Sequence, residues 1–180
     1  MYQNALATAG IEDAEIVVAG PYNISGTAAL VGAIKSYENM TGETVSQENV
    51  DTATNELVVT GKLAESVGDS DKAEQLVGAV KEQVVEGSDN GKELTEEEIG
   101  NVVDQAAQEM DVQLSDEDRQ EIVALMDKIK GLDIDVDSLK EQAKDLYDKI
   151  DDLGLKLDWN QEKVQGFFSK IIEFFKNLFS

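Results

Sequence analysis

Apolar residues recur every three or four positions along most of the chain, the spacing that places them on one face of an α-helix. The first such stretch predicts a helix over residues 2–9 that stops at Gly10. The next predicts a helix over residues 27–40 (TAALVGAIKSYENM) that ends at Gly42. Glycine is favoured just after a helix because it adopts the left-handed backbone conformation that ends the helix.

The middle of the chain continues the helical pattern with polar interruptions. Residues 46–61 (SQENVDTATNELVVTG) and 62–68 (KLAESVG) predict two short helices, each ending on a glycine. A further helix is predicted over residues 71–85, with Asp71 as its N-cap and Glu74 three positions on, the acidic form of a capping box. The glycine-containing polar stretch 86–94 (EGSDNGKEL) predicts a linker.

The second half of the chain is predicted to be helical throughout. Thr95 and Glu98 form a capping-box pattern at the start of TEEEIGNVVDQAAQEM, and Ser115 is placed to cap DEDRQEIVALMDKIKG. Asp137 or Ser138 caps SLKEQAKDLYDKIDDLG. The apolar positions of the helix after Ser115 share one face: Ile122, Leu125, Met126 and Ile129. The predicted regions of the chain are 1–88, 92–165 and 166–180.

One short run near the N-terminus departs from the helical period. EIVVA at residues 15–19 is apolar and β-branched and lies between Asp13 and Gly20–Pro21, which predicts a buried strand. One strand cannot satisfy its own backbone groups, so its partners are expected in a segment upstream of Met1. The predicted fold class is therefore α+β and predominantly helical: one N-terminal strand followed by a multi-helix array that ends in an amphipathic aromatic helix.

Composition excludes several classes of function. The 180 residues hold 38 acidic and 15 basic side chains, a net charge of −23. Proteins that bind nucleic acid use cations to displace counterions from phosphates, so no nucleic-acid partner is predicted. The chain has no cysteine and no histidine, which removes catalytic triads, haem ligation and ordinary structural zinc sites. No enzymatic activity and no cofactor are predicted.

The loop before the second predicted helix is the one stretch that resembles a ligand site. Gly20, Ser25, Gly26 and Thr27 precede or open that helix, where free backbone N–H groups attract a phosphate or carboxylate. None of the phosphate-loop or nucleophile-elbow motifs is present. The competing interpretation is that Ser25 or Thr27 is simply the N-cap and Gly26 permits the turn.

Alternating carboxylates in DIDVD (residues 133–137) suggest the start of a calcium loop. The pattern fails further on, because Ser138 takes the place of the glycine and Lys144 that of the bidentate glutamate. We therefore predict no metal site, and the acids are expected to lie in a connector and on solvated helix faces.

The final stretch, GFFSKIIEFFKNLFS at residues 166–180, contains all five phenylalanines of the chain. At 100° per residue its apolar side chains fill an arc of about 160°, and its polar side chains all fall on the other side. Two lysines and one glutamate give it a charge of +1, which leaves −24 for residues 1–165. The predicted apolar face consists of Phe167, Phe168, Ile171, Ile172, Phe174, Phe175, Leu178 and Phe179.

The sequence alone leaves three possibilities for what buries this apolar face. It packs on the core of its own chain, it lies on a membrane surface, or it docks on a protein partner or a second copy. Burial of eight such side chains is worth roughly 12–24 kcal/mol as an upper bound, which favours burial without choosing the place. A stripe this wide exceeds the roughly 100° that a helix on a globular surface needs.

The order of motifs resembles that of the YpuA-like proteins, an uncharacterised secreted family of Gram-positive bacteria. The resemblance rests on MYQNALATAGIEDAEIVVAGPYNISGTAALVGAIKSYENMTG, TNELVVTGKLAESVG, LSDEDRQEIVALMDKIKGLDIDVDSLKEQ and GFFSKIIEFFKNLF, in that order. It implies an extracellular or cell-envelope location, and a signal peptide and further segment before Met1. It brings no known activity. The predicted function is a non-catalytic binding or structural module; the alternative is a small-ligand or anion-binding domain that uses the Gly20–Thr27 loop.

Overall fold

The computed structural model describes residues 1–11, 14–17, 19, 24–89, 94–135 and 139. These residues contain six helices, all within the compact unit Met1–Lys144. In chain order the helices are α1 (Tyr2–Thr8), α2 (Gly26–Thr41), α3 (Gln47–Val67), α4 (Ser70–Asp89), α5 (Glu96–Glu109) and α6 (Asp116–Ile129).

The predicted α+β class is wrong, because the described part of the chain is helical and holds no strand. Residues 15–17 and 19, from the predicted strand, lie in the connection between α1 and α2. Val17 is 82% exposed, while Ile16 packs against the apolar cluster of α1, α2 and α3. A five-residue apolar run carries too little periodicity to separate a strand from an irregular segment that rests one side chain on a core.

Two helix boundaries also differ from the prediction. Residues 46–68 form one helix, α3, which continues through Gly61. The cost of an interior glycine, about 1 kcal/mol, is overridden by packing on both sides, where Val59 and Leu63 are buried. Helix α4 begins before Asp71, since the carboxylate of Asp69 accepts hydrogen bonds from the N–H groups of Asp71 and Lys72 at 3.0 Å each.

Most of the other predicted helix ends agree with the structure, the end of α4 excepted. Gly10, Gly42 and Gly68 adopt left-handed backbone conformations with φ of 76°, 78° and 74°. Thr95 and Glu98 form the predicted capping box at α5, and Ser115 caps α6 in a second box completed by Asp118. Helix α4 extends to Asp89, so the first residues of the predicted 86–94 linker are helical.

Helices α3 and α4 pack against each other at the centre of the described bundle, and α3 also packs against α1, α2 and α6. Helix α4 also packs against α5 and α6. Its apolar side chains are buried along most of its length, and the predicted face of α6 is buried with them: Ile122, Leu125, Met126 and Ile129. A second apolar cluster joins α1 to α2 and α3 through Ala5, Leu6 and Ala9 on one side and Leu30, Ile34, Ala53 and Leu57 on the other. The buried side chains of the second cluster are aliphatic, and the partly buried Tyr2 and Tyr37 pack against them.

The turn between α5 and α6 contains a backbone conformation that suits glycine better than the residue present. Asp111 has φ of +50° and is exposed. Because a side chain in this region costs roughly 1 kcal/mol, Asp111→Gly is expected to raise the free energy of unfolding by about 0.5–1 kcal/mol in urea titrations. Asp111→Ala is the matched control, since it removes the same charge and keeps the Cβ. Equal stability of the two variants would contradict the strain argument.

Candidate functional site

The start of α2 brings together three of the four residues predicted to form a ligand loop. The Ser25 hydroxyl accepts a hydrogen bond from the Ala28 N–H at 3.2 Å and lies 3.3 Å from the Thr27 hydroxyl. The Tyr2 hydroxyl donates to the Gly26 carbonyl at 3.2 Å, which ties α1 to this helix start. Ser25 is therefore the N-cap, while Gly20 lies outside the described residues. Anion binding by this loop stays a prediction.

A second set of polar side chains, which the sequence did not indicate, lies inside the bundle. We call Asn4, Thr8, Glu56 and Lys81 the buried polar cluster. The Lys81 ammonium donates to the Glu56 carboxylate at 2.9 Å, to the Asn4 backbone carbonyl at 2.7 Å and to the Thr8 hydroxyl at 3.1 Å. The Thr8 hydroxyl donates in turn to the second oxygen of Glu56. The cluster thus links α1, α3 and α4.

The Asn4 side chain of α1 lies against the backbone of α4 beside Lys81. The Asn4 side-chain amide donates to the Glu74 carbonyl at 3.1 Å. A Cβ at Gly78 would lie 3.2 Å from the Asn4 side-chain nitrogen, tighter than ordinary van der Waals contact. The absence of a side chain at Gly78 therefore leaves room for the Asn4 side chain against α4.

The geometry of the buried polar cluster favours a structural role. The side chains of Lys81 and Glu56 are only 2% and 1% exposed, so a substrate has no surface from which to reach them. An ammonium has three donors, and each one has an acceptor here. An ammonium has no free lone pair and is not a nucleophile, and removal of either member of a buried ion pair would leave an uncompensated charge.

Burial of these two charges depends on tertiary packing, and the sequence carried only a faint signal of it. Glu56 falls on the same face of α3 as the buried residues Ala53, Leu57 and Thr60. Lys81 stands among the valines of α4. An acid and a base that each interrupt an apolar stripe, on different helices, are candidates for a buried pair because each lacks another partner in the core.

Surface polar contacts link α3 to α6. Lys62 pairs with Glu121, Ser66 donates to Asp118 at 2.8 Å, and Lys128 donates to the Asn55 side chain at 3.0 Å. The hydrogen bond to Glu121 raises the pKa of Lys62. Burial tends to raise the pKa of Asp118, and hydrogen bonds from Ser115 and Ser66 outweigh it, so that this pKa lies below its usual value.

The remaining sequence predictions concern metals and membranes. Within the described ranges, no group of three or more acidic side chains is placed to hold a metal ion. Asp133 and Asp135 belong to those ranges, whereas Asp137 does not. Among the six helices described above, none is long and apolar enough to cross a bilayer.

The aromatic stretch 166–180 and most of the predicted helix at 138–154 lie outside the described residues. The predicted apolar face of that stretch therefore stays a prediction from the sequence.

Comparison with known proteins places the chain in a sequence family. A family model described as a protein of unknown function (DUF1002) matches residues 1–146. The uncharacterized protein YpuA of Bacillus subtilis (strain 168) is 34% identical over 183 residues, an alignment that covers 100% of this chain and 59% of that protein. The chain thus spans somewhat under two thirds of this relative's length. No solved structure matches. The resemblance to the YpuA-like proteins is confirmed.

Proposed function

This chain belongs to the family of proteins of unknown function called DUF1002, and from that premise we propose that it is a non-catalytic binding protein of the cell envelope. In this proposal, residues 166–180 attach it reversibly to a membrane surface. The observation that carries the proposal is the complete separation of apolar from polar positions in those residues.

The argument for binding rather than catalysis comes from the chemistry that the chain offers. It contains no histidine or cysteine, so an enzyme built on it would need carboxylates, lysine, tyrosine or serine. The most unusual lysine and carboxylate of the described bundle, Lys81 and Glu56, are closed off from solvent and paired with each other. The envelope location is supported by the resemblance to a secreted family and by the relative from Bacillus subtilis.

Width and composition favour lipid as the cover of the aromatic face. An arc of about 160° is wider than one helix needs when it rests on a globular core. Phenylalanine on one face and lysine on the other are typical of helices that lie in a membrane interface. The buried apolar side chains of the described bundle are alanine, valine, leucine, isoleucine and methionine, with Tyr2 and Tyr37 partly buried beside them. All five phenylalanines of the chain fall within residues 167–179. The charge of −24 on residues 1–165 opposes anionic lipid, so attachment should be stronger on zwitterionic vesicles.

Flotation with phosphatidylcholine vesicles tests the proposal. The full chain is expected to float, and a chain truncated after Gln165 is expected to stay at the bottom of the gradient. The sharper comparison uses two double variants that each add two negative charges. Phe167→Asp/Phe174→Asp changes the apolar face and should abolish flotation, because charges in the interface are costly; Ser169→Asp/Asn177→Asp changes the polar face and should float.

Three results would overturn membrane attachment. The full chain stays unbound, both double variants float equally, or the truncated chain floats as well as the full chain. If the truncated chain loses cooperative unfolding, the face belongs to the protein's own core instead. If the full chain forms a dimer that the Phe167→Asp/Phe174→Asp variant does not form, a second copy of the chain buries the apolar face of residues 166–180.

A further inference from the structure

Helix α1 is too short to be stable by itself, so its place in the structure depends on what it packs against. It has seven residues, about two turns, and isolated helices shorter than about 12 residues are marginal in water. Residues Asn4 to Thr8 are all buried. Apolar contacts with α2 and α3 cover one side, and the other side meets α4 through the buried polar cluster.

Apolar packing alone does not fix the rotation and axial position of α1. Within α1, the apolar cluster contains buried Ala5 and Leu6 and partly buried Tyr2, and apolar burial has no preferred direction. The contacts of Lys81 are directional by comparison. Two of its three hydrogen bonds go to α1, at positions one turn apart, the Asn4 carbonyl and the Thr8 hydroxyl. Only one rotation and one height of α1 satisfy both contacts.

The same helix reaches the start of α2 at its other end. The Tyr2 hydroxyl donates to the Gly26 carbonyl, and a Cβ at Gly26 would lie 3.3 Å from that hydroxyl. Gly26 is the first residue of α2, next to its cap, Ser25. A change in the docking of α1 therefore alters the surroundings of the Ser25–Thr27 helix start, although Lys81 itself lies elsewhere in the bundle.

We propose that α1 is a latch: Lys81 is the positioning residue that docks it, and docked α1 orders the start of α2 through Tyr2. This goes beyond attachment through residues 166–180, on which it does not depend. Release of α1 would uncover the apolar cluster on α2 and α3 and free the backbone at Gly26. The order of the α2 start at Ser25–Thr27 is thereby coupled to a buried ammonium on a different helix.

A double substitution separates the latch from the general stability of the ion pair. Replacing Lys81 and Glu56 together by apolar residues of similar size removes both buried charges and keeps the packing of α3 on α4. The Thr8 hydroxyl then loses both partners, and the Asn4 carbonyl loses its ammonium donor. If Lys81 positions α1, this variant has a stable bundle and a loosened α1.

Hydrogen exchange of the full chain, followed by mass spectrometry, measures both properties at once. In Lys81→Met/Glu56→Leu, peptides from residues 1–11 and 24–30 are expected to exchange about tenfold faster than in the unaltered protein, as loss of a hydrogen bond to a charged group implies. Peptides from residues 96–129 should be unchanged. Tyr2→Phe is the second variant and should accelerate exchange in residues 24–30 while residues 1–11 remain protected.

Each result bears on one step of the proposal. Unchanged exchange of residues 1–11 in the double variant would overturn the role of Lys81 in docking α1. Faster exchange of residues 1–11 with unchanged residues 24–30, in either variant, would overturn the link to α2. Uniformly faster exchange that includes residues 96–129 would show that the pair only stabilises the whole bundle, which also overturns the latch.

Discussion

Replacing Lys81 by methionine is expected to lower the free energy of unfolding by about 3–5 kcal/mol, enough to remove a large part of the stability of a domain of this size. The reason is that the Glu56 carboxylate stays buried without its cationic partner. Glu56 is 1% exposed, and without Lys81 its carboxylate keeps only the Thr8 hydroxyl as a side-chain donor. Urea titration followed by far-ultraviolet circular dichroism measures the loss.

The surface pair of α3 and α6 supplies a matched control for this prediction. Lys62→Met makes the same substitution on a lysine that pairs with Glu121 and whose side chain is 56% exposed. Water can solvate the remaining carboxylate there, so the loss of stability should be far smaller than for Lys81→Met. Similar losses in both variants would mean that burial is not what makes the Lys81 pair important.

Removal of the Glu56 carboxylate together with Lys81 tests whether the uncompensated charge causes the loss of stability. Lys81→Met/Glu56→Leu should recover most of the stability lost in Lys81→Met, because an apolar pair of similar volume has no desolvation penalty. A double variant as unstable as the single variant would show that the uncompensated charge of Glu56 is not the main cause of the loss in Lys81→Met. Recovery of stability is also the condition under which exchange at α1 can be interpreted.

Features of this fold that depend on a few neighbouring residues were predictable from the sequence. The capping box of Thr95 and Glu98 and the left-handed glycine after α2 involve side chains within one turn of each other. The buried face of α6 was also predictable, since its period is set by the helix itself. Such features need no knowledge of the rest of the chain.

Features that depend on tertiary packing were not predictable in the same way. EIVVA has the composition of a strand, but a strand exists only with a partner, and the described residues supply none. The sequence predicts a helix end at Gly61 because glycine weakens an isolated helix, whereas α3 packs against α4 and α6 and continues through it. The burial of Glu56 and Lys81 follows from the meeting of three helices, which no local pattern encodes.

The same distinction between local and tertiary features applies to the candidate ligand site at the start of α2. That Ser25 lies at a helix start followed from local chemistry, and the structure confirms it as the N-cap. The contact between Tyr2 and Gly26 spans 24 positions and became visible only with the fold. Sequence therefore located the loop, while the structure shows what it is connected to.

The central place of α4 leads to the second large effect, at Leu76. This side chain is completely buried in the middle of α4, the helix that packs against α3, α5 and α6. Leu76→Ala removes most of that side chain from a close-packed interior and is expected to cost about 2–5 kcal/mol, measured by urea titration. Val58→Ala on α3 is the control: Val58 is 40% exposed, and its truncation should change stability by no more than about 0.5 kcal/mol. Because α3 and α4 pack on each other and both contact α6, exchange in peptides from α1–α3 and from α5 and α6 should accelerate together in Leu76→Ala. Acceleration confined to one part would show that the described helices unfold as two units, which would contradict this coupling through α4.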